Sequence, residues 1–153
     1  MTGSNYNSSF TTKEIAKRVR EYVKKNFPGY KFSVRTALHG SCDVISVEMK
    51  STPVEVYKTT DEMTWEDVAK SICRAMRYNC WTLDDYTEEE ARAELERLYR
   101  DGRLGRCIND EVAATAAAVD EYVNSYNSDN SDPMTDYFDS FFYYFGCLDS
   151  IRA

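Results

Sequence analysis

The apolar residues of this chain change period partway along, and that change limits the folds open to it. From Tyr30 to Met49 they recur at every second position; before and after that stretch they recur every third or fourth. A period of two fits a strand with one buried face, and a period near 3.6 fits an amphipathic helix. In the first strand Tyr30, Phe32, Val34 and Thr36 share one side, with Lys31, Ser33 and Arg35 on the other. In the second, Ile45, Val47 and Met49 oppose Val44, Ser46 and Glu48. Leu38–Cys42 reads as a hairpin loop with Gly40 at the turn. Pro53 interrupts the pattern, and Val54–Tyr57 could add a third, edge strand.

Helical signals surround the hairpin. Thr11-Thr12-Lys13-Glu14 is a capping box, followed by an apolar stripe of Ile15, Val19, Tyr22 and Val23 and ended by Pro28-Gly29. Thr64-Trp65-Glu66-Asp67 resembles a second cap, before Val68, Ile72 and Met76. Thr87-Glu88-Glu89-Glu90 is a third, before Ala91, Leu95, Leu98 and Tyr99, with Gly102 as the closing glycine. Asn109 or Asp110 opens a further helix with Val112, Ala116, Val119 and Val123 inward. Ser131-Asp132-Pro133 predicts a last helix with Phe138, Phe141, Phe142 and Phe145 on one face. The expected fold is therefore α+β: an N-terminal helix and an antiparallel hairpin of two strands, or three, packed against four or five helices. The 153 residues are expected to form a single domain, residues 1–153. Within it, residues 1–10 read as a disordered N-terminus, 58–118 as a helical insertion and 124–131 as an exposed loop.

No apolar run approaches the roughly 18–20 residues of a membrane span, so no membrane is expected as partner. Met1–Phe10 is polar and uncharged, unlike a secretory signal. The five cysteines are odd in number, widely spaced and without a C-x-x-C, which suits free thiols in a reducing cytoplasm. His39 is the single histidine, and His39-Gly40-Ser41-Cys42 reads as turn chemistry rather than a nucleophile–base pair. Phosphate-binding glycine loops and zinc-ligand spacings are missing from the sequence, so neither an enzyme nor a cofactor is expected.

Charge is unevenly placed. Residues 1–58 hold ten Lys/Arg and five Asp/Glu, net +5, and residues 59–153 hold nine and twenty-one, net −12. Lys13, Lys17, Arg18, Arg20, Lys24 and Lys25 crowd the first helix, and Lys31 and Arg35 follow on the first strand. Such a cluster can neutralise phosphates, or simply face water. In the tail Asp132, Asp136 and Asp139 recur at 0, 4 and 7. Three carboxylates could hold Mg²⁺ or Ca²⁺. Two of them fall in a first helical turn, where anions are favoured anyway, so no metal is expected. Tyr137, Tyr143 and Tyr144 beside them could form a contact surface.

Three segments together carry a resemblance: Phe27-Pro28-Gly29-Tyr30-Lys31-Phe32-Ser33-Val34-Arg35-Thr36, Ser41-Cys42-Asp43-Val44-Ile45-Ser46-Val47 and Asp132-Pro133-Met134-Thr135-Asp136-Tyr137. A basic helix, this strand, a short turn, a second strand and the late acidic element resemble the large polyvalent protein-associated domain of class twenty-nine, over residues 11–57 and 119–152. The resemblance implies an α+β domain that travels with phages and conjugative elements, and it transfers no catalytic residues. Where the family has Gly-Pro after its second strand, this chain has Lys50-Ser51-Thr52-Pro53. The expectation is a non-catalytic, counter-defence-type binding protein of a mobile element. Its partner would be a protein, met through Asp132, Asp136, Tyr137, Asp139, Tyr143 and Tyr144 of the tail, or through the acidic helices at 84–101. The alternatives are nucleic-acid binding through Lys13, Lys17, Arg18, Arg20, Lys24, Lys25, Lys31 and Arg35, or acidic mimicry of a nucleic acid. An aromatic tail helix could dimerise or close its own core, so the sequence leaves the oligomeric state open.

Overall fold

The computed structural model describes residues 1–76, 86–131, 134 and 140–148. In chain order the elements are α1 (Thr12–Asn26), β1 (Lys31–His39), β2 (Cys42–Ser51), a short 3-10 turn (Thr60–Glu62), α2 (Trp65–Met76), α3 (Glu88–Arg100) and α4 (Asp110–Ser125). The fold is α+β, with an N-terminal helix and one antiparallel two-stranded sheet. The described residues form two compact units, one of residues 1–54 with 111–153, the other of residues 55–110.

In the first unit α1 starts where its capping box starts. Thr11 accepts from the Glu14 backbone N–H, and the Glu14 carboxylate accepts from the Thr11 N–H at 2.7 Å. That backbone hydrogen bond is the main reason the Glu14 carboxyl lies below its ordinary range. Ile15, Ala16, Val19 and Val23 are buried along one stripe, against the hairpin. Val34 pairs with Val47 and Thr36 with Ile45, which keeps the apolar side chains of both strands on one face. The loop is shorter than the expected Leu38–Cys42, since β1 runs to His39 and β2 begins at Cys42. α4 adds Val112, Ala116, Val119 and Val123 to the buried set, and its Tyr122 ring stacks on Tyr22 of α1 at 3.8 Å.

Three segments of this unit run differently from their sequence pattern. The first ten residues, read as a disordered N-terminus, lie along the end of α4: the Gly3 N–H donates to Asn127 O and the Asn5 N–H to Ser125 O, both at 2.8 Å. A Cβ on Gly3 would stand 2.2 Å from Ser125 O, so only glycine allows that approach. In the stretch read as an exposed loop at 124–131, Tyr126 and Ser128 are buried.

The expected tail helix is the third difference. Residues 140–148 carry no helix. Tyr143 pairs with Val44 as a parallel bridge, donating to Asp43 O at 2.9 Å and accepting from the Ile45 N–H at 3.0 Å. The Asn127 side chain donates to Phe142 O at 2.9 Å and accepts from the Phe142 N–H at 3.2 Å. These partners take the backbone groups a helix would satisfy internally. The proposed aromatic face is split accordingly: Phe142 is 1% exposed and Phe145 72% exposed. Phe138 lies outside the described residues.

In the second unit α2 and α3 bury Val68, Ile72, Ala91, Leu95 and Tyr99 around Met63. The Thr87 capping box opens α3. At its end Gly102 (φ 65°) donates to Tyr99 O and Arg103 to Leu98 O, the paired closure that needs a left-handed residue. The possible third strand at Val54–Tyr57 is not seen, and a fifth helix is absent among the described residues. Tyr57 instead forms one isolated bridge with Ile108, because the Val56 carbonyl accepts from the Asn109 N–H and Lys58 donates to Cys107 O. Among the described residues no helix is long and apolar enough to cross a membrane.

Candidate nucleic-acid interface

The α1 cations follow from the helix period. Lys13, Lys17, Arg20 and Lys24 stand at positions 0, 4, 7 and 11, which a 3.6-residue turn stacks into one line. At 1.5 Å per residue the line is about 16 Å long, the span of four or five phosphates along one strand. Arg18 and Lys25 form a parallel pair seven residues apart, and Glu14 and Glu21 lie between the two lines. All six cations are exposed. Among the described residues none of the six makes an ion pair with a carboxylate. Two are held by other means: Arg20 donates to Val34 O at 2.8 Å, and the Arg18 guanidinium lies 4.6 Å over the Phe10 ring. Lys24 and Lys25 occupy the last turn, where the helix dipole favours cations.

Strict alternation would put Lys31 on the hairpin face away from α1. The register shifts at that point: Phe32 pairs with Met49 and Lys31 with Ser51, leaving Lys50 as an extra residue. Such a bulge re-aims the neighbouring side chains. Lys31 nonetheless lines a groove of about 570 Å³ between the end of α1 and the start of β1, together with Arg20, Lys24, Pro28, Tyr30 and Phe32. The Tyr30 and Phe32 rings are nearly parallel, 21° apart with centroids at 6.1 Å. The Tyr30 hydroxyl oxygen is buried and has no hydrogen-bond partner among the described residues. Arg35 belongs elsewhere. It is exposed on the opposite hairpin face and helps to lower the Glu48 carboxyl, whose main cause is the Lys50 ammonium. Seven of the eight expected cations thus lie on α1 or at its groove, and Arg35 does not.

The tail residues sort differently. Asp132, Asp136, Tyr137 and Asp139 lie outside the described residues. The Tyr144 hydroxyl donates to Asp120 Oδ1 at 2.5 Å, and the Cys147 N–H donates to the same oxygen at 3.0 Å. Burial pushes the Tyr144 phenol well above its usual range and the Cys147 thiol up to about 12. Tyr143 is half-buried, and its phenol is raised chiefly by a hydrogen bond with Cys42. Both tyrosines are therefore tied into the first unit. His39 is exposed at the hairpin tip, while Cys42 is half-buried. Among the described residues no group of three or more His, Cys, Asp or Glu is placed to hold a metal.

The sequence reading missed Pro28, Tyr30 and Phe32 as groove residues. Their signal was the interleaving of aromatic and basic residues in Tyr30-Lys31-Phe32, which the strand pattern had assigned to core. Taken together, the fold and this face define an α+β domain presenting a cationic helix beside an aromatic-floored groove. The model of the large polyvalent protein associated domain 29 matches residues 10–103, about 60% of the chain, and the chain belongs to that family. The matched stretch takes in α1, the hairpin and residues 58–103 of the expected insertion; it ends before 119–152. Membership associates the chain with phages and mobile elements. No curated protein and no solved structure matches it.

Proposed function

We propose that this chain is a non-catalytic binding protein of a mobile element that docks on nucleic acid through α1 and the adjoining groove. The observation that carries this reading is the set of six exposed α1 cations without carboxylate partners among the described residues. Residues 11–36 hold eight Lys/Arg and two Glu, net +6, so the local field is positive although the whole chain is at −7. Local potential, not total charge, decides whether a phosphate backbone is attracted at close range. A protein partner met through the tail draws less support, because Tyr143 and Tyr144 are engaged within the fold. Acidic mimicry is also less supported, since α2 and α3 carboxylates pair with Lys70, Arg92 and Arg97.

Fluorescence anisotropy with a labelled oligonucleotide tests the reading. Binding should weaken with salt at a log–log slope of about −3, as four neutralised phosphates require. Absence of binding at low salt overturns it.

A further inference from the structure

We propose that the groove between α1 and β1 receives an unpaired base, so that the protein selects single-stranded over duplex nucleic acid. This rests on the nucleic-acid reading above and adds a strand preference to it.

The argument starts from what lines the groove. Arg20, Lys24 and Lys31 supply cations, and Tyr30, Phe32 and Pro28 supply apolar surface between them. A purely electrostatic duplex reader needs only the cations. Aromatic faces flanked by cations match a single strand, whose unstacked bases offer π-faces while its phosphates stay at the rim. In a duplex the base faces are covered by their neighbours in the stack, and only edges and phosphates are offered. The volume of about 570 Å³ is within the range of small-molecule sites, large enough for one base. The aromatic residues are also preorganised. Tyr30 packs edge-on against Phe27 with centroids 6.2 Å apart, and Phe27 against Tyr22 at 5.9 Å, so a short ladder backs the groove. Arg20 is fixed by its bond to Val34 O, which leaves its remaining N–H groups for a phosphate.

The placement of Lys31 gives the geometry a second support. Lys31 lines the groove from β1, opposite Arg20 and Lys24 of α1. Lys31 therefore brings a cation to the rim beside the aromatic pair. The three cations therefore flank the aromatic floor from two elements, as a strand crossing from helix to hairpin requires.

The test compares the full chain's binding to a labelled twelve-nucleotide oligo-dT and to a hairpin duplex carrying the same number of phosphates. Anisotropy at near-physiological salt should favour oligo-dT by about tenfold, the scale of one base–aromatic stack. Phe32→Ala should remove most of that preference while leaving duplex affinity and the salt slope unchanged. Because Phe32→Ala could also unfold the groove, Phe32→Leu is measured beside it, with thermal unfolding as the check. Leucine keeps the apolar volume and loses the π-face, so it should lose the preference as well. Equal affinity for both probes, abolished by charge removal on α1, overturns the strand preference and leaves the nucleic-acid reading intact. Failure to bind either probe at low salt overturns both.

Discussion

The two compact units contain similar side chains and use their charges in opposite ways. In residues 55–110 four cations are paired within the unit. Lys58 pairs with Asp67 and Asp110, Lys70 with Glu66, Arg92 with Glu88, and Arg97 with Glu94 and Asp101. Arg92 also donates to the Thr60 and Met63 carbonyls, linking α3 to the 3-10 turn. In the other unit the α1 cations face water, and neutral side chains do the fastening: Asn127 on Phe142, Tyr144 on Asp120. Where a helix cation is paired with a carboxylate at i+3 or i+4, its charge is largely cancelled a Debye length away. Where the cations outnumber the carboxylates and stay unpaired, as six to two on α1, the field reaches a partner. Pairing, more than charge count, separates scaffold from candidate interface.

Four experiments press on that contrast. Replacing Lys13, Lys17, Lys24 and Lys25 together by Gln should lower nucleic-acid affinity about a hundredfold at low salt. Folding stability should fall by no more than about 1–2 kcal/mol, because all four side chains are exposed and only Lys24 and Lys25 lose a favourable helix-dipole contact. A large stability loss in circular-dichroism melts would show that α1 needs its cations for folding, which would break the comparison.

Asn127→Ala should cost about 2–3 kcal/mol, since it strips the Phe142 N–H and C=O of their partners at a buried position. Urea unfolding measures it, and oligonucleotide binding should be unaffected. An unchanged midpoint would mean that the tail is held by its other contacts.

Lys58→Met should cost about 1–2 kcal/mol, between exposed and buried ion pairs, because the Lys58 side chain is 11% exposed. The pH dependence sharpens it. The hydrogen bond to Asp110 foremost raises Lys58 above 10.5, so that contribution is complete below 10.5 and lost as pH rises through the higher folded value. The Lys58 ammonium foremost lowers Asp67 below 3.8, so its contribution is complete above 3.8 and lost as pH falls through the lower folded value. The wild type should outlast the variant most clearly between those limits, and the difference should shrink at either extreme. A constant difference from pH 2 to 11 would show that Lys58 acts through packing alone.

The smallest expected effect is a gain. Tyr30→Phe removes a buried hydroxyl without a partner among the described residues, and should stabilise by about 1 kcal/mol or less. The aromatic face remains, so single-strand affinity should hold. A loss of affinity would assign the hydroxyl to the interface.

Local signals were legible because both ends of each interaction lie within four residues. The capping boxes at Thr11 and Thr87, the cap at Thr64 and the glycine closure at Gly102 all appear where the sequence put them. The hairpin register was legible too, since slipping it by one residue would expose Val34, Ile45 and Val47 together. The tail was misread for the converse reason. The spacing of Phe141, Phe142 and Phe145 satisfies a helical pattern, yet the groups that capture this backbone, Asn127, Ser128, Asp43 and Ile45, are distant in sequence. A short aromatic run carries too little periodicity to exclude an extended path.

The candidate interface divides the same way. Its helix stripe follows from spacing alone, because the 3.6-residue turn dictates which cations align. The groove depended on three-dimensional contacts: it forms only where Arg20 and Lys24 of α1 stand beside Tyr30, Lys31 and Phe32. By itself, then, the sequence determined the elements, their buried faces and the cationic line, all products of short-range geometry. Only the tertiary structure decided what lines the groove and where the tail ran. Both depend on distances between residues far apart along the chain, which no local period encodes.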